Sequence, residues 1–172
     1  MQDVALTEGE INPFYFPEPI APLVSARRRK CLIPLGEVVQ RIKKTARRCE
    51  CLLVEGSGGL LVPLGEKYFV SDLIQRLNCE VIVVARNQLG TINHTLLTVN
   101  ALKRFGVKNI SVVLMGTSKK DASVEKNGEV LREFLGGVRV VEVKFLGKNA
   151  NEIGVLKKFV RNLKKTLAGI RA

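Results

Sequence analysis

Two short stretches of this chain hold residue types whose spacing could do chemistry. In Leu52-Leu53-Val54-Glu55-Gly56-Ser57-Gly58-Gly59-Leu60-Leu61-Val62-Pro63-Leu64, a carboxylate closes an apolar run and stands directly before a glycine-rich turn. Glu55 is therefore a candidate ligand for a hard cation such as Mg²⁺, which takes oxygen ligands and keeps water and phosphate in the rest of its shell. Gly56, Gly58 and Gly59, with Ser57 among them, let a ligand approach the main chain closely. The plain alternative is a turn that merely ends a strand. In Leu89-Gly90-Thr91-Ile92-Asn93-His94-Thr95-Leu96-Leu97-Thr98, a glycine turn opens a helix. The unsatisfied N–H groups and the dipole of such an end suit a carboxylate or phosphate, with Gly90, Thr91, Ile92 and Asn93 around it. Ordinary capping by Thr91 explains the same residues. His94, the only histidine, has no recognisable acid or nucleophile beside it, so capping or packing is preferred to catalysis. No Gly-x-x-x-x-Gly-Lys-Ser/Thr occurs in the 172 residues, so no loop here cradles a triphosphate in the P-loop manner.

These stretches must be positioned by alternating short apolar runs and amphipathic segments, the pattern of an α/β domain. The periodicity predicts a helix from Leu35 to Arg48 with Val38, Val39 and Ile42 inward, then a strand over Cys51-Leu52-Leu53-Val54. A helix from Val70 to Leu77, capped by Ser71 or a neighbour, precedes a strand from Glu80 to Ala85. The helix from Ile92 to Phe105 stops at Gly106, and a strand follows from Asn109 to Met115. Ser123 caps a helix to Leu135, ended by Gly136-Gly137, before a last strand from Val138 to Val143. The closing helix turns Ile153, Leu156, Phe159, Val160, Leu163 and Leu167 inward and its lysines to water. Four strands joined through helices predict one parallel sheet with the ligand site at its C-terminal edge. Pro13, Pro17, Pro19 and Pro22 predict an irregular apolar segment packed on the body of a single domain over residues 1–172.

Composition narrows the function classes. The apolar runs, such as Val81 to Ala85, fall far short of the about 20 residues that cross a bilayer. The first ten residues show no basic region followed by an apolar stretch, and a cytoplasmic location is the default expectation. Cys31, Cys49, Cys51 and Cys79 lack paired zinc spacing and read as reduced structural thiols. The net charge of +12 gathers in Arg27-Arg28-Arg29-Lys30, in Lys43, Lys44, Arg47 and Arg48, and in Lys157, Lys158, Arg161, Lys164 and Lys165. Solvated basic faces explain these runs better than nucleic acid does, since 5% aromatic residues and no tryptophan supply few stacking surfaces.

The two chemical stretches also carry a resemblance. Val54-Glu55-Gly56-Ser57-Gly58-Gly59-Leu60-Leu61-Val62-Pro63-Leu64 resembles the VEGAGGxxxPL signature of the dethiobiotin synthetase family, and Leu89 to Thr98 its LGxINHxLLT segment. Asn12-Pro13-Phe14-Tyr15-Phe16-Pro17-Glu18-Pro19-Ile20-Ala21-Pro22 resembles its NPYxFxxPxxPH segment, with Leu23 where a histidine is common. The likeness runs from about Ile11 to Leu135.

The resemblance implies an α/β fold of the P-loop NTPase-like type, a three-layer parallel sheet missing the P-loop strand and helix, as the C-terminal two-thirds of the family's domain. It implies ureido-ring closure on 7,8-diaminopelargonic acid with CO₂, ATP and Mg²⁺, in biotin biosynthesis. Glu55 would be the magnesium carboxylate, and Gly56, Ser57, Gly58 and Gly59 would pass close to substrate. Gly90, Thr91, Ile92 and Asn93 would hold the substrate's tail carboxylate across a homodimer interface. In the family a P-loop strand inside the sheet precedes the NPYxF segment, so the expectation is a chain inactive alone, served by a separate P-loop polypeptide or an upstream coding region. The alternative is a P-loop-less relative that binds a small carboxylate or acts as a dimeric regulator. Two departures bear on the nucleotide: Met115-Gly116-Thr117 stands where the family often has an adenine-reading asparagine, and Lys144-Phe145-Leu146-Gly147 replaces its Gly-x-Ile-Pro turn.

Overall fold

The computed structural model describes residues 5–118, 121–147, 149–150 and 152–167, with the side chains at 158, 161, 162 and 165–167 outside the description. Its contacts divide the chain into two compact units, residues 1–78 and 79–172.

The first unit is mostly helical. Helix α1, Glu8–Ile11, and helix α2, Pro22–Arg28, flank the proline-rich segment. Pro22 occupies the first turn of α2, where its missing N–H costs nothing. The segment between them is less packed than expected: Tyr15 is 71% exposed, although Phe14 lies under the Arg41 guanidinium, 5.7 Å from ring centroid to carbon. Helix α3, Leu35–Ala46, buries Val39 and Thr45 and half-buries Val38 and Ile42, with Lys43 and Lys44 exposed. The predicted strand over 51–54 does not form: no described residue pairs with it, and Leu53 is 83% exposed. An apolar run becomes a strand only when a neighbour satisfies its backbone. The strands that do form are a hairpin, β1, Pro63–Gly65, antiparallel to β2, Tyr68–Phe69. Buried Tyr68 donates its hydroxyl to the Ile33 carbonyl at 2.9 Å. A Cβ on Gly65 would come within 2.4 Å of that same carbonyl oxygen, so the contact requires glycine. Helix α4, Val70–Leu77, is entered through Asp72, whose carboxylate accepts the Phe69 N–H at 2.7 Å, rather than through a Ser71 cap.

The second unit is a right-order α/β run: β3 Val81–Arg86, α5 Thr91–Arg104, β4 Ile110–Met115, α6 Val124–Leu135, β5 Arg139–Val143 and α7 Ile153–Leu167. The strands pair in parallel in the order β3-β4-β5, with Val83 opposite Val112 and Val112 opposite Val140. The expected four-stranded sheet is thus three-stranded, because the run over 51–54 stays outside any ladder. Val99, Val112, Leu114 and Leu131 are fully buried between this sheet and the helices. Gly106, with φ +81°, ends α5 as predicted, and Gly136-Gly137 ends α6. On α7, Leu156, Phe159, Val160 and Leu163 are half-buried, whereas Ile153 is exposed, against expectation, and Leu167 lies outside the described side chains. Among the described residues no helix is long and apolar enough to cross a membrane.

Charge is partly spent within the first unit. Arg27 holds Glu66 through two hydrogen bonds of 2.8 Å each, and Arg29 holds Glu18 at 2.9 Å. Both pairs are exposed and contribute little to stability.

The contrast between the two apolar runs is testable. Leu114→Ala, at a fully buried position, is expected to cost about 2–5 kcal/mol in urea unfolding, and Leu53→Ala to stay within about 0.5 kcal/mol.

Candidate functional site

The predicted residues fall in both units, and each group is built by its own local structure. Glu55 is exposed and makes no hydrogen bond or ion pair with a described residue. Gly56, Ser57, Gly58 and Gly59 form an exposed bend after it. Gly58 sits at φ +82°, and a Cβ there would come within 2.9 Å of Val62 Cγ2, so both conformation and space demand glycine. Gly59 meets nothing within 4 Å and leaves open space above the turn. The bend is anchored from below: the Gly59 carbonyl accepts the Val62 N–H, while Ser71 and Val70 donate to the carbonyls of Leu60 and Val62 at 3.1 and 3.3 Å. The first two N–H groups of α4 are therefore occupied by the loop itself.

The second group is arranged differently. Gly90, with φ +92°, is the residue at which the chain enters α5, and Thr91 is the first helical residue, buried at 5% exposure. Thr91 is thus not the cap that the sequence suggested; the left-handed turn that glycine permits does that work. The Thr91 N–H donates to the Gln88 carbonyl at 3.1 Å and the His94 N–H to the Gly90 carbonyl at 3.2 Å. Between them, the N–H groups of Ile92 and Asn93 find no acceptor among the described residues. Ile92 is half-buried, and Asn93 and His94 are exposed. This is two free donors and an amide side chain at the positive end of a 14-residue helix, a place for one carboxylate or phosphate oxygen pair.

A cleft of about 620 Å³ opens at the C-terminal ends of the three parallel strands. Arg86, Leu89, Met115, Gly116, Asp121 and Phe145 are among its walls. Gly116 must be glycine, because a Cβ there would come within 2.6 Å of the Phe145 backbone nitrogen. Asp121 organises the rim: its carboxylate accepts the N–H groups of Ser123 at 2.8 Å and Leu89 at 3.0 Å and the Ser123 hydroxyl. Those bonds, the Ser123 hydroxyl first, hold its carboxyl below the ordinary aspartate range.

Two buried amides tie the rim together, and the sequence reading did not single them out. Asn127 donates to the Asn87 side-chain oxygen at 2.8 Å, and Asn87 donates to the Val124 carbonyl at 3.1 Å. They are 2% and 5% exposed, so each bond replaces one lost to water. A signal existed: Asn127-Gly128 places two poor helix formers inside α6, which propensity alone would disfavour. Glu142 fills the space that a Gly128 side chain would take, paired with Arg132.

For a metal, the fit is that of one ligand. No group of three or more His, Cys, Asp or Glu side chains comes together among the described residues, and Cys49 and Cys51 are free. Glu55 suits a Mg²⁺ ion that draws its other ligands from water and phosphate.

Comparison with known proteins adds the family context. A family model described as an AAA domain matches residues 4–148. The chain is 43% identical over 137 residues to the ATP-dependent dethiobiotin synthetase BioD of Bacillus licheniformis, which covers 79% of this chain and 58% of that protein. It is 41% identical over 129 residues to the protein so named in Endomicrobium trichonymphae, covering 72% and 60%. With that of Bacillus anthracis it is 32% identical over 175 residues, covering 94% and 72%. The chain thus spans about three-fifths of the length of the first of these relatives.

Because the Asp121 carboxyl is held low, its contribution is complete above the ordinary aspartate range and disappears as pH falls through the lowered value. Asp121→Asn should speed amide exchange at Leu89 and Ser123 at pH 7 and remove that acid-limb dependence, measured by NMR hydrogen exchange from neutral pH down through the acid limb.

Proposed function

Because the chain belongs to the dethiobiotin synthetase family, we propose that it forms the substrate-holding part of an ATP- and Mg²⁺-dependent ligase that closes a ureido ring on 7,8-diaminopelargonic acid with CO₂. The observation that carries this reading is the start of α5, where the free N–H groups of Ile92 and Asn93 follow the left-handed turn at Gly90. A carboxylate at the tail of the diamine would take those donors and gain the favourable end of the helix dipole. The side-chain amide of Asn93, exposed beside them, supplies a further donor. In this reading Glu55 holds the metal, and Gly56, Ser57, Gly58 and Gly59 let substrate lie close to the main chain. The protein works as a homodimer.

Mg²⁺ supplies charge neutralisation for phosphate oxygens when bound, and Glu55 is the residue that would hold it. For ATP the fit is partial. The cleft beside Met115, Gly116 and Phe145 has the volume of a small-ligand site. No P-loop occurs in the sequence to receive the triphosphate. No phosphoryl-transfer step is therefore assigned to these residues. In this reading these residues bind and orient, fixing the carboxylate end of the diamine.

Calorimetry tests the reading without turnover. The chain should bind 7,8-diaminopelargonic acid, and the corresponding diamine lacking the carboxylate about tenfold or more weakly, the loss of roughly 1.4 kcal/mol expected for a helix-end anion contact. Gly90→Val should lose the difference between the two ligands, since a β-branched residue opposes the φ of +92° that shapes the turn. Equal affinity for both diamines would refute the assignment.

A further inference from the structure

The turn that opens α5 is held in place by α6 and the loop before it. Residues 88–91 form a β-turn, closed by the Thr91 N–H on the Gln88 carbonyl at 3.1 Å, with Gly90 at φ +92° and ψ −14° as its third residue. Those angles are what a type II turn asks of that position. Two side chains from residues 121–127 grip it. Asp121 accepts the Leu89 N–H at 3.0 Å, and Asn127 Nδ2 donates to the Gln88 carbonyl at 3.4 Å. The same Nδ2 donates to Asn87 Oδ1 at 2.8 Å and to Ser123 Oγ at 3.2 Å, so one amide ties α6 to the exit of β3. Asn87 is fixed in turn: its N–H donates to the Met115 carbonyl of β4 at 2.7 Å and its Nδ2 to the Val124 carbonyl at 3.1 Å.

The stability of α6 does not explain this amide. Asn127 stands in the interior of a 12-residue helix beside Gly128, and both residue types are poor helix formers. Gly128 has a packing reason, since a side chain there would meet the Glu142 carboxylate. The Asn127 side chain, buried with its residue, is spent on the turn. A buried amide network holds one geometry, because other arrangements leave a polar group without a partner. What this geometry fixes is the direction of the chain into α5, where the N–H groups of Ile92 and Asn93 have no acceptor among the described residues. A second sign of a ligand at that end is Thr95, 2% exposed, whose hydroxyl has no described partner and lines a cleft of about 240 Å³ with Gln88, Leu89, Thr91 and His94. Donors set before an anion arrives bind it without a further ordering cost.

We propose that Asn127 is a positioning residue for anion binding at the start of α5. It touches no ligand itself. It fixes Asn87 and the Gln88 carbonyl, that carbonyl fixes the Thr91 N–H, and the two open donors follow directly. Asp121 grips the adjoining Leu89 from an exposed rim, where water can replace it. Asn127 acts from the interior, where a lost bond is not made good by solvent. This deepens the proposed function and rests on its reading of the α5 end as an anion site, though not on the diamine, so the two can fail separately.

The test titrates the full 172-residue chain with inorganic phosphate while the amide resonances of Ile92 and Asn93 are followed by NMR. In the unaltered chain both should shift and saturate. Asn127→Ala should weaken that binding about tenfold and speed amide exchange at Thr91 by a similar factor, as local opening of the turn would. Asn127→Leu, of similar size and unable to donate, should do the same and serves if the alanine variant does not fold. Leu131→Ala is the control for a merely structural effect: it is fully buried one turn further along α6, so it should lower the melting temperature and leave the phosphate affinity and Thr91 exchange as they were. Resonances of Ile92 and Asn93 that phosphate does not move in the unaltered chain, an unchanged affinity in Asn127→Ala, or an equal loss in Leu131→Ala would each overturn the proposal. A loss confined to the Asn127 variants, together with equal affinity for the two diamines, would uphold it and sink the substrate assignment.

Discussion

The second unit depends on the hydrogen-bonded ladder of β4, the strand that is bonded on both sides. Its backbone groups are satisfied by β3 and β5, and Val112 and Leu114 place no atom in water. The ladder continues one residue past the strands, through the Asn87 N–H to the Met115 carbonyl and the Gly116 N–H to the Val143 carbonyl, both at 2.7 Å. Each turn at the C-terminal edge therefore leaves the sheet from a fixed point. The Asn87–Asn127 pair then decides where the turn goes, because two buried amides in a medium of low dielectric cannot exchange partners without losing bonds. Gly90 and the first turn of α5 inherit their direction from this chain of constraints, as does the rim of the larger cleft.

Much of that arrangement was legible in the residues. The helix ends at Gly106 and Gly136 were readable because glycine there relieves a left-handed strain that other side chains meet. The three parallel strands were readable because their apolar runs are short and flanked by turn residues. The run over 51–54 had the same look and failed to form a strand, since pattern reports what a segment would bury and cannot report whether a partner exists. The hairpin of Pro63–Gly65 and Tyr68–Phe69 escaped notice because five residues carry too little alternation to read. For the candidate site, Gly58 and Gly90 declared themselves by type, whereas Asn87, Asp121 and Asn127 did not. Their roles come from long-range hydrogen bonds, spanning as many as 40 positions, that no local window contains.

The basic charge takes a plainer meaning in the structure. Arg27, Arg29 and Arg48, three of the eight cations in the first two basic runs, are paired with Glu66, Glu18 and Glu10, and Arg41 outside those runs is paired with Glu37, all inside the first unit. Lys43 and Lys44 point to water on the outer face of α3. A nucleic-acid footprint asks instead for unpaired cations along one surface with aromatic side chains among them. Tyr15, the most exposed aromatic residue, stands in the proline-rich segment apart from the two lysines in sequence, and its neighbour Phe14 is already covered by Arg41.

The two glycine turns look alike as sequence, yet only one of them leaves backbone donors open at a helix start. Both contain a glycine at positive φ, Gly58 and Gly90, and the Gly58 turn touches the start of α4 across the β1–β2 hairpin whereas Gly90 leads directly into α5. At α4 the opening N–H groups of Val70 and Ser71 are bound to the carbonyls of Val62 and Leu60, and the Asp72 carboxylate already sits at that helix end. A second anion there would meet a negative charge and no free donor. At α5 the first turn contains no acidic residue, and the N–H groups of Ile92 and Asn93 are open. The division of labour follows from this difference. The turn with a carboxylate at its head, Glu55, has the charge that suits a cation, and the turn with bare donors has the polarity that suits an anion.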